Sequence, residues 1–231
     1  MQYPNMAQLY SVDNQYLIGS DLLVKPVTSP GATTSEVLFP LSDIWYDVDT
    51  MQRMQLTGHS NTAVAKVVES GIDKIPVYQR GGSIIPRKLR LRRSSWLMLN
   101  DPYTLYVALG ESLKAEGTLY MDDETTFDNE KRGDYGIASL SADWGESSIA
   151  IQNSVKIGSD DAINAKTKED RIVERIVVMG VPNEPRGIDL TSSSFQNPVR
   201  MEFQYDASSQ ILIIRKPGVS ALDDWSMKLT K

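Results

Sequence analysis

The chain has 231 residues, 41% hydrophobic and 23% charged, so it can bury a core as one large or two small domains and is neither disordered nor fibrous. Because 24 Lys and Arg stand against 30 Asp and Glu, its net negative charge argues against nucleic acid or an anionic membrane as a partner. The absence of cysteine excludes disulfides and thiolate metal sites.

The first ten residues lack the basic start and continuous apolar core of a signal peptide. A run of about 18 apolar residues, which a membrane-spanning helix requires, does not occur. Asn-X-Ser/Thr acceptors are also missing. We therefore expect this sequence to contain no signal peptide and no membrane span, and to carry no mark of secretion.

Short β-type segments follow one another through the first hundred residues. The earliest, residues 17–27, is apolar and is interrupted by Gly19 and Pro26. Sustained helical periodicity is lacking, and Ser, Asn, Thr and Gly separate the segments, as in a sandwich or barrel. The further predicted strands of this part are residues 36–40, 44–48 and 64–68.

Residues 75–93 contain a glycine pair followed by an alternating segment, in which Leu89 and Leu91 separate basic residues. Because successive side chains of a strand point to opposite faces, this alternation predicts a strand with one apolar and one basic face. The turn-forming cluster Asn-Asp-Pro at residues 100–102 comes next. We place a domain boundary there.

The second half of the chain is again predicted to be β. A polar segment, residues 158–170, is interpreted as an exposed loop or a short helical turn, and residues 139–146 as a loop. The fold class is therefore all-β, with two consecutive antiparallel β-sandwich domains, a proximal one over residues 17–100 and a distal one over residues 101–231. Predicted strands of the distal domain cover residues 103–109, 117–121, 147–157, 171–179, 201–205 and 210–215, with turns at Gly133, Gly158, Pro182 and Pro198.

A dense carboxylate cluster, Asp122-Asp123-Glu124, follows the predicted strand 117–121. A glycosidase needs two carboxylates of unequal pKa, which this cluster could supply. Together with Asp128, the carboxylate oxygens of the cluster would also suit Ca²⁺, although the spacing differs from that of a calcium-binding loop. Asp side chains also accept hydrogen bonds from the backbone two residues on and so end strands. We expect a turn here and assign no catalytic residue and no metal ligand.

Two other candidate motifs are predicted to be structural. His59, the single histidine, lies in a polar stretch, so a Ser-His-Asp or histidine-based metal site would depend on it alone, and we expect an exposed loop. The pair Gly81-Gly82 lacks the spacing of a phosphate-binding loop and is interpreted as a tight turn. No cofactor is predicted.

A basic run precedes Trp96. It is typical either of a docking patch that binds phosphate or an acidic partner, or of a strand face exposed to solvent. We expect the solvated face, because packing of the leucines between the basic residues explains the alternation and the acidic chain offers internal partners. The four tryptophans, Trp45, Trp96, Trp144 and Trp225, are scattered, which argues against a sugar-binding platform and places most of them in the core. The basic run comprises Arg87, Lys88, Arg90, Arg92 and Arg93.

Three motifs carry a family resemblance: QYLIGSDLLVKPV at residues 15–27, IWYD at residues 44–47 and IPVYQRGGSIIPR at residues 75–87. In order and spacing they resemble family 31 glycoside hydrolases just after their catalytic barrel. Residues 1–16, with QYP at residues 2–4, are similar to the end of that barrel and are interpreted as its remnant. The motifs RLRRSS, DPYTL and RKPG, with the later DW pair, resemble the glucosidase II branch of the family in particular.

The resemblance implies that the whole protein is a retaining exo-α-glucosidase of the endoplasmic reticulum lumen that trims glucose from N-linked glycans. Its two catalytic Asp residues belong to earlier barrel strands, so no catalytic residue is carried over, and Met1 is interpreted as an internal methionine of a longer protein. The implied partners are the barrel of the same polypeptide, the glucosidase II beta subunit and, through the full enzyme, the glycan. The tail at residues 228–231 is not a retention signal, so retention would come from the partner. Glu124 departs from the family, which usually has Gly there.

Two other functions stay open, because a sandwich fold does not decide function. One is a free-standing carbohydrate-binding module, which saturable glucan binding lost on Trp96→Ala would favour. The other is a structural or adhesion sandwich, which predicts neither hydrolysis nor glycan affinity.

Overall fold

The regular structure is almost entirely β in a computed structural model that describes residues 2–127, 129–145, 149–157 and 171–230. Within these residues the helical elements are short: the 3₁₀ turns Ala7–Leu9 and Ser95–Met98 and the α-helix Asn129–Arg132 (α1). The described helices are all too short to span a lipid bilayer. The all-β fold class is confirmed.

The chain divides into two compact units, Met1–Ser83 with Gly110–Ser112, and Ile84–Leu109 with Leu113–Lys231. The first unit contains the strands β1 (Tyr16–Ile18), β2 (Leu22–Val24), β3 (Thr34–Pro40), β4 (Trp45–Asp47), β5 (Ala63–Glu69) and β6 (Val77–Arg80). They form a four-stranded sheet in the order β1-β2-β6-β4 and a two-stranded sheet of β3 and β5, and their registers are antiparallel.

Both sheets of the first unit contribute to one core. Leu23, Trp45 and Tyr78 come from the four-stranded sheet and Phe39 from the two-stranded one, and all four are buried. The rings of Phe39 and Tyr78 meet edge to face with centroids 4.7 Å apart, a favoured aromatic geometry. Trp45 donates from its Nε1 to the carbonyl of Pro40 at 2.9 Å. A core filled from two facing sheets is the defining feature of a sandwich.

The apolar run at residues 17–27 forms a hairpin rather than one strand. Strands β1 and β2 pair antiparallel with Leu17 opposite Leu23. The turn between them contains Gly19 at φ +59°, a backbone conformation that glycine adopts without strain. The predicted strand was too long because a left-handed glycine reverses the chain.

The second unit is built on one eleven-stranded sheet. Its strands are β7 (Ser83–Lys88), β8 (Tyr103–Ala108), β9 (Lys114–Met121), β10 (Gly136–Trp144), β11 (Ile149–Ile157), β12 (Ile172–Met179), β13 (Gly187–Ser192), β14 (Val199–Arg200), β15 (Phe203–Asp206), β16 (Ile211–Ser220) and β17 (Trp225–Thr230). Their order in the sheet is β14-β13-β17-β11-β10-β9-β7-β8-β12-β16-β15. Buried side chains from strands along most of this order form a single hydrophobic cluster.

The pair β8 and β12 departs from the predicted antiparallel arrangement, since the two strands run parallel from Tyr103 opposite Val173 to Ala108 opposite Met179. A parallel pair needs a long crossover connection. Here that connection contains β9, β10 and β11, which return the chain to β12 in the same direction as β8.

The interpretation of residues 139–146 as a loop was wrong, because β10 runs to Trp144 and pairs along both sides, with β9 and with β11. Alternate positions of β10, among them Ala138, Leu140 and Ala142, are buried, and this period-two pattern was present in the sequence. The strands β13 and β17 were also missed. Residues 158–170 lie outside the described residues. The predicted domain bounds and the barrel remnant at residues 1–16 stay predictions.

Candidate functional site

The carboxylate cluster at residues 122–124 forms a turn after β9. The Oδ1 atom of Asp122 accepts the backbone N–H of Glu124 at 2.8 Å. The Oδ1 atom of Asp123 accepts the backbone N–H groups of Thr125 and Thr126 at 3.0 and 2.9 Å, and its Oδ2 atom accepts the Thr126 hydroxyl at 2.8 Å. These are the local Asx bonds by which Asp ends strands, so the prediction of a turn is confirmed.

The hydrogen bonds that end on Asp123 also set its acidity. The backbone N–H groups of Thr126 and Thr125, followed by the Thr126 hydroxyl, lower the pKa of Asp123 to about 2. A general acid of a glycosidase needs a raised pKa, so that it holds a proton near neutral pH. The turn therefore keeps the Asp123 carboxylate ionised, because it lowers the pKa of Asp123 where an acid catalyst requires a raised one.

Glu124, the position where the resemblance predicts Gly, adopts φ +56°, which strains a residue with a Cβ. Its Oε1 atom accepts hydrogen bonds from Lys88 Nζ and from Arg171 Nη1, both at 3.3 Å. We call this set of three side chains the Glu124 clamp. Two charged contacts thus offset the backbone strain that glycine would avoid.

Arg171 is the buried member of the Glu124 clamp, with a side chain only 3% exposed. Its Nη1 atom also donates to the carbonyl of Leu99 at 2.7 Å, and Nη2 donates to the carbonyl of Asp122 at 2.9 Å. A buried guanidinium is tolerated only when it is paired and hydrogen-bonded. Arg171 therefore ties the segment before β8, the turn after β9 and the start of β12 together.

The basic run does not form the predicted two-faced strand, since β7 ends at Lys88 and a loop follows. Arg92 binds the buried carboxylate of Asp101 through two contacts, Nε to Oδ2 at 3.0 Å and Nη2 to Oδ1 at 2.7 Å. These bonds lower the pKa of Asp101. Arg90 pairs with Glu174 at 3.4 Å. The acidic partners expected within the chain are therefore present as Asp101 and Glu174, but they hold a loop in place and do not lie along a strand face.

The leucines of this loop are exposed, which corrects the expectation that packing explains their alternation with basic residues. Leu89 is 42% and Leu91 99% exposed, and Trp96 and Leu97 in the following 3₁₀ turn are 57% and 53% exposed. Because β7 ends at Lys88, none of these four side chains lies on a strand. We call residues 89–99 the basic loop.

The remaining candidate residues, the tryptophans, Gly82 and His59, lie in the core, in a turn or in an exposed loop. Trp45, Trp144 and Trp225 are buried, as predicted for most of the tryptophans. Gly82 lies at φ +93° in the tight turn between β6 and β7, and His59 is exposed in a loop. In the described part of the chain no group of three or more His, Cys, Asp or Glu side chains is placed to hold a metal ion. The suggested calcium ligand Asp128 lies outside that part.

The family to which the chain is related follows from comparison with known proteins. Residues 1–85 match the model of the glycosyl hydrolase family 31 C-terminal domain. Residues 1–85 therefore belong to the glycosyl hydrolase family 31 C-terminal domain. The similarity extends beyond the matched domain, since neutral alpha-glucosidase AB of Dictyostelium discoideum is 38% identical over 234 residues, an alignment that covers 99% of this chain. The family 31 resemblance of the motifs is confirmed.

Solved structures of the family share the fold over nearly the whole chain. A crystal structure of a glucosidase II alpha subunit superposes with a TM-score of 0.79 at 30% identity, and covers 94% of this chain. A heterodimer of the ER glucosidase II catalytic subunit with the binding domain of its regulatory subunit superposes with a TM-score of 0.78. This chain spans 23% of the Dictyostelium relative and 24% of the alpha subunit.

Proposed function

We propose that this family 31 region is the non-catalytic C-terminal support of an α-glucosidase whose catalytic barrel lies elsewhere in the polypeptide. The observation that carries the proposal is one of coverage. The chain aligns over 99% of its own length with an α-glucosidase, yet over only 23% of the length of that relative. The remaining length has room for a barrel and both catalytic carboxylates, which the resemblance assigns to earlier strands.

The chemistry of the described residues supports a non-catalytic role. The densest carboxylate cluster is engaged in a turn, and Asp123 has a lowered pKa, whereas glycoside hydrolysis needs one carboxyl group with a raised pKa beside an ionised one. Glu124 is held by two basic side chains. Neither Asp123 nor Glu124 is therefore suited to the role of acid catalyst.

The first unit has a surface suited to the support role. Tyr10, Tyr16 and Ile18 are each more than half exposed. A pocket of about 220 Å³ beside them is lined mainly by apolar side chains, including Leu9, Val12, Leu17 and Leu23. Exposed apolar surface of this kind marks a contact with another protein surface, and we assign it to the barrel of the same polypeptide.

The same relatives suggest the finer setting. We propose that the parent enzyme is a retaining exo-α-glucosidase that trims glucose from N-linked glycans in the endoplasmic reticulum lumen, together with a regulatory subunit. The support for this is the likeness to the ER glucosidase II heterodimer, which covers nearly all of this chain. Retention in the compartment would then come from the partner subunit.

Hydrolysis of p-nitrophenyl α-glucoside tests the support role. We expect the purified 231-residue chain to give no turnover above buffer, and Asp122→Asn and Asp123→Asn to change nothing. Expression of the same region joined to the upstream sequence of its gene supplies the positive arm, which should hydrolyse the substrate. Turnover by the isolated chain that either substitution abolishes would overturn the proposal, as would an upstream sequence that encodes no barrel.

A further inference from the structure

Two arginines lie directly opposite each other in the sheet of the second unit, Arg175 on β12 and Arg215 on β16. Residues in this arrangement share one face of the sheet, with Cβ atoms about 4.5 to 5.5 Å apart, and like charges there are destabilising. Both residues are exposed. The Nη2 atom of Arg215 donates to the neutral Oε1 atom of Gln204 at 2.9 Å, and neither arginine forms an ion pair with a described residue. The pair therefore calls for a compensating negative charge.

A β-bulge creates this arginine pair. The register of β12 with β16 shifts between Val173 and Arg175, and the register of β12 with β8 shifts at the same point. A regular antiparallel continuation from Val173, which is opposite Val219, would place Arg175 opposite Pro217. The shift places it opposite Arg215 instead. Because bulges re-aim side chains beside binding sites, the arrangement is a specific feature of the backbone.

A buried hydroxyl group lies beside the pair. Thr104 of β8 is the partner of Arg175 on the other side of β12, so the two residues share a face of the sheet. Thr104 is 0% exposed, and its Oγ1 atom has no hydrogen-bond partner among the described residues. A buried polar group without a partner costs free energy and points to a missing acceptor or donor. Thr104, Arg175 and Arg215 are donors on three neighbouring strands, and we call them the arginine site.

Two further cations lie close to the arginine site. The guanidinium of Arg87 lies 4.7 Å from the centroid of the Tyr106 ring. Tyr106 is two positions along β8 from Thr104 and therefore lies on the same face. Lys216 follows Arg215 in the chain and adopts φ +51°, a conformation that is strained for a residue with a Cβ. Strained residues of this kind cluster at functional sites.

Two carboxylates belong to the same part of the sheet. Glu174 forms an ion pair with Arg90 at 3.4 Å. Glu202 lies next to Arg215, whose backbone N–H donates to the Glu202 carbonyl at 3.3 Å, and we count its charge against that arginine. Positive charge exceeds negative charge after both carboxylates are counted. The described cations that then have no carboxylate partner are Arg87, Arg175 and Lys216.

We propose that the arginine site binds a tetrahedral oxyanion of the phosphate class, either the free anion or the phosphoryl group of a monoester. Guanidinium groups bind phosphate oxygens through paired hydrogen bonds, and the Thr104 hydroxyl supplies a further donor. A doubly charged anion offsets both the repulsion between Arg175 and Arg215 and the remaining positive charge, whereas a carboxylate carries only half that charge. This site is independent of the proposed support role, and either proposal can fail without the other.

Titration of inorganic phosphate into the 231-residue chain, followed by calorimetry at an ionic strength held constant with sodium chloride, tests the arginine site. We expect one saturable site. Arg175→Gln and Arg215→Gln should each weaken the dissociation constant about tenfold or more, because each removes a charge-assisted hydrogen bond. Thr104→Val should weaken it about threefold, the loss of one neutral donor. Unchanged binding in Thr104→Val would overturn the assignment of the hydroxyl to the site.

The matched control is Lys228→Gln, which removes one positive charge from an exposed position of β17, six strands from β12 in the same sheet. It should leave the dissociation constant unchanged. Thermal unfolding separates lost binding from lost folding. Without phosphate and at low salt, Arg175→Gln should unfold at the same temperature as wild type or higher, because it removes the like-charge repulsion. Added phosphate should raise the unfolding temperature of wild type and Lys228→Gln but not that of Arg175→Gln.

Two other ligands define the chemistry of the site. Glucose 6-phosphate distinguishes the sources of the anion, since tighter binding than inorganic phosphate indicates a phosphoryl group on a sugar and weaker binding indicates the free anion. Acetate should bind at least tenfold more weakly than phosphate. The proposal is overturned if the wild-type chain takes up no phosphate, if the two arginine variants bind it as well as Lys228→Gln does, or if acetate binds as tightly, which would make this a carboxylate site.

Discussion

Glu124→Gly separates two opposing contributions to stability in the acidic turn. The substitution relieves the strain of a non-glycine residue at φ +56°, which costs about 1 to 2 kcal/mol. It also removes the acceptor of Lys88 and Arg171, each 3.3 Å away. Hydrogen bonds that involve charged groups contribute about 1.5 to 3 kcal/mol each, and we use the lower figure because the Glu124 side chain is 38% exposed.

The two lost contacts therefore cost about 3 kcal/mol and the relieved strain returns about 1 to 2 kcal/mol. The net expectation is a destabilisation of about 1 to 2 kcal/mol, which for a chain of this length lowers the unfolding temperature by about 2 to 8 °C. After the substitution the buried Arg171 keeps only its two carbonyl acceptors.

The assay is urea denaturation of wild type, Glu124→Gly, Arg171→Met and the double variant, with thermal unfolding as a check. Because Arg171→Met removes the buried charge that Glu124→Gly leaves unpaired, we expect the double variant to be more stable than the sum of the two single losses implies. The reasoning is refuted if Glu124→Gly is more stable than wild type, because strain would then outweigh the Glu124 clamp, or if the two losses simply add.

Three further predictions concern pH, the basic loop and close packing. The pKa of Asp123 is lowered from 3.8 to about 2 in the folded chain, so its carboxylate stabilises the fold above pH 3.8, and this contribution is lost as the pH falls through the folded-state pKa of about 2. We therefore expect Asp123→Asn to lose less stability than wild type between about pH 4 and pH 2. Arg92→Lys cannot keep the two-point contact with Asp101, and it should speed trypsin cleavage in the basic loop. Gly117→Ala would place its Cβ 2.2 Å from the carbonyl oxygen of Ile84, so we expect a loss of about 3 kcal/mol or more in urea denaturation.

Each of these predictions has a control within the chain. Asp206 also has a pKa lowered to about 2, by the side chains of Ser208 and Ser209, so Asp206→Asn should show the same acid behaviour as Asp123→Asn. An Asp123→Asn variant that loses stability in acid as wild type does would contradict the assignment. Arg200 has an ion pair of its own at 3.1 Å, and Arg200→Lys should not change cleavage in the basic loop. Gly31→Ala meets no neighbouring atom within 4 Å but sits at φ +72°, so its loss should stay near 1 kcal/mol.

Local features were predictable from the sequence because they depend on a few neighbouring residues. The turn at Asp122 and Asp123 follows from side chains that bond the backbone two or three positions on, and Gly82 in a tight turn follows from its freedom at positive φ. Strand segments such as β3 and β5 followed from apolar β-branched runs. The family assignment also needed only the sequence, because motif order and spacing carry it.

Tertiary structure decided what depends on partners far along the chain. The exposure of Leu91 could not be derived from its alternation with arginines, because it depends on where β7 loses its sheet neighbours. The strand β10 is stable because it is paired on both sides, although its small residues give a weak local signal. Glu124 and Arg171 are 47 positions apart, and only the pairing of β12 with β8 brings the start of β12 back to the acidic turn. Sequence thus determined part of the strands, the local turns and the family, whereas long-range strand pairing determined the remaining strands, which charges meet and which apolar side chains stay exposed.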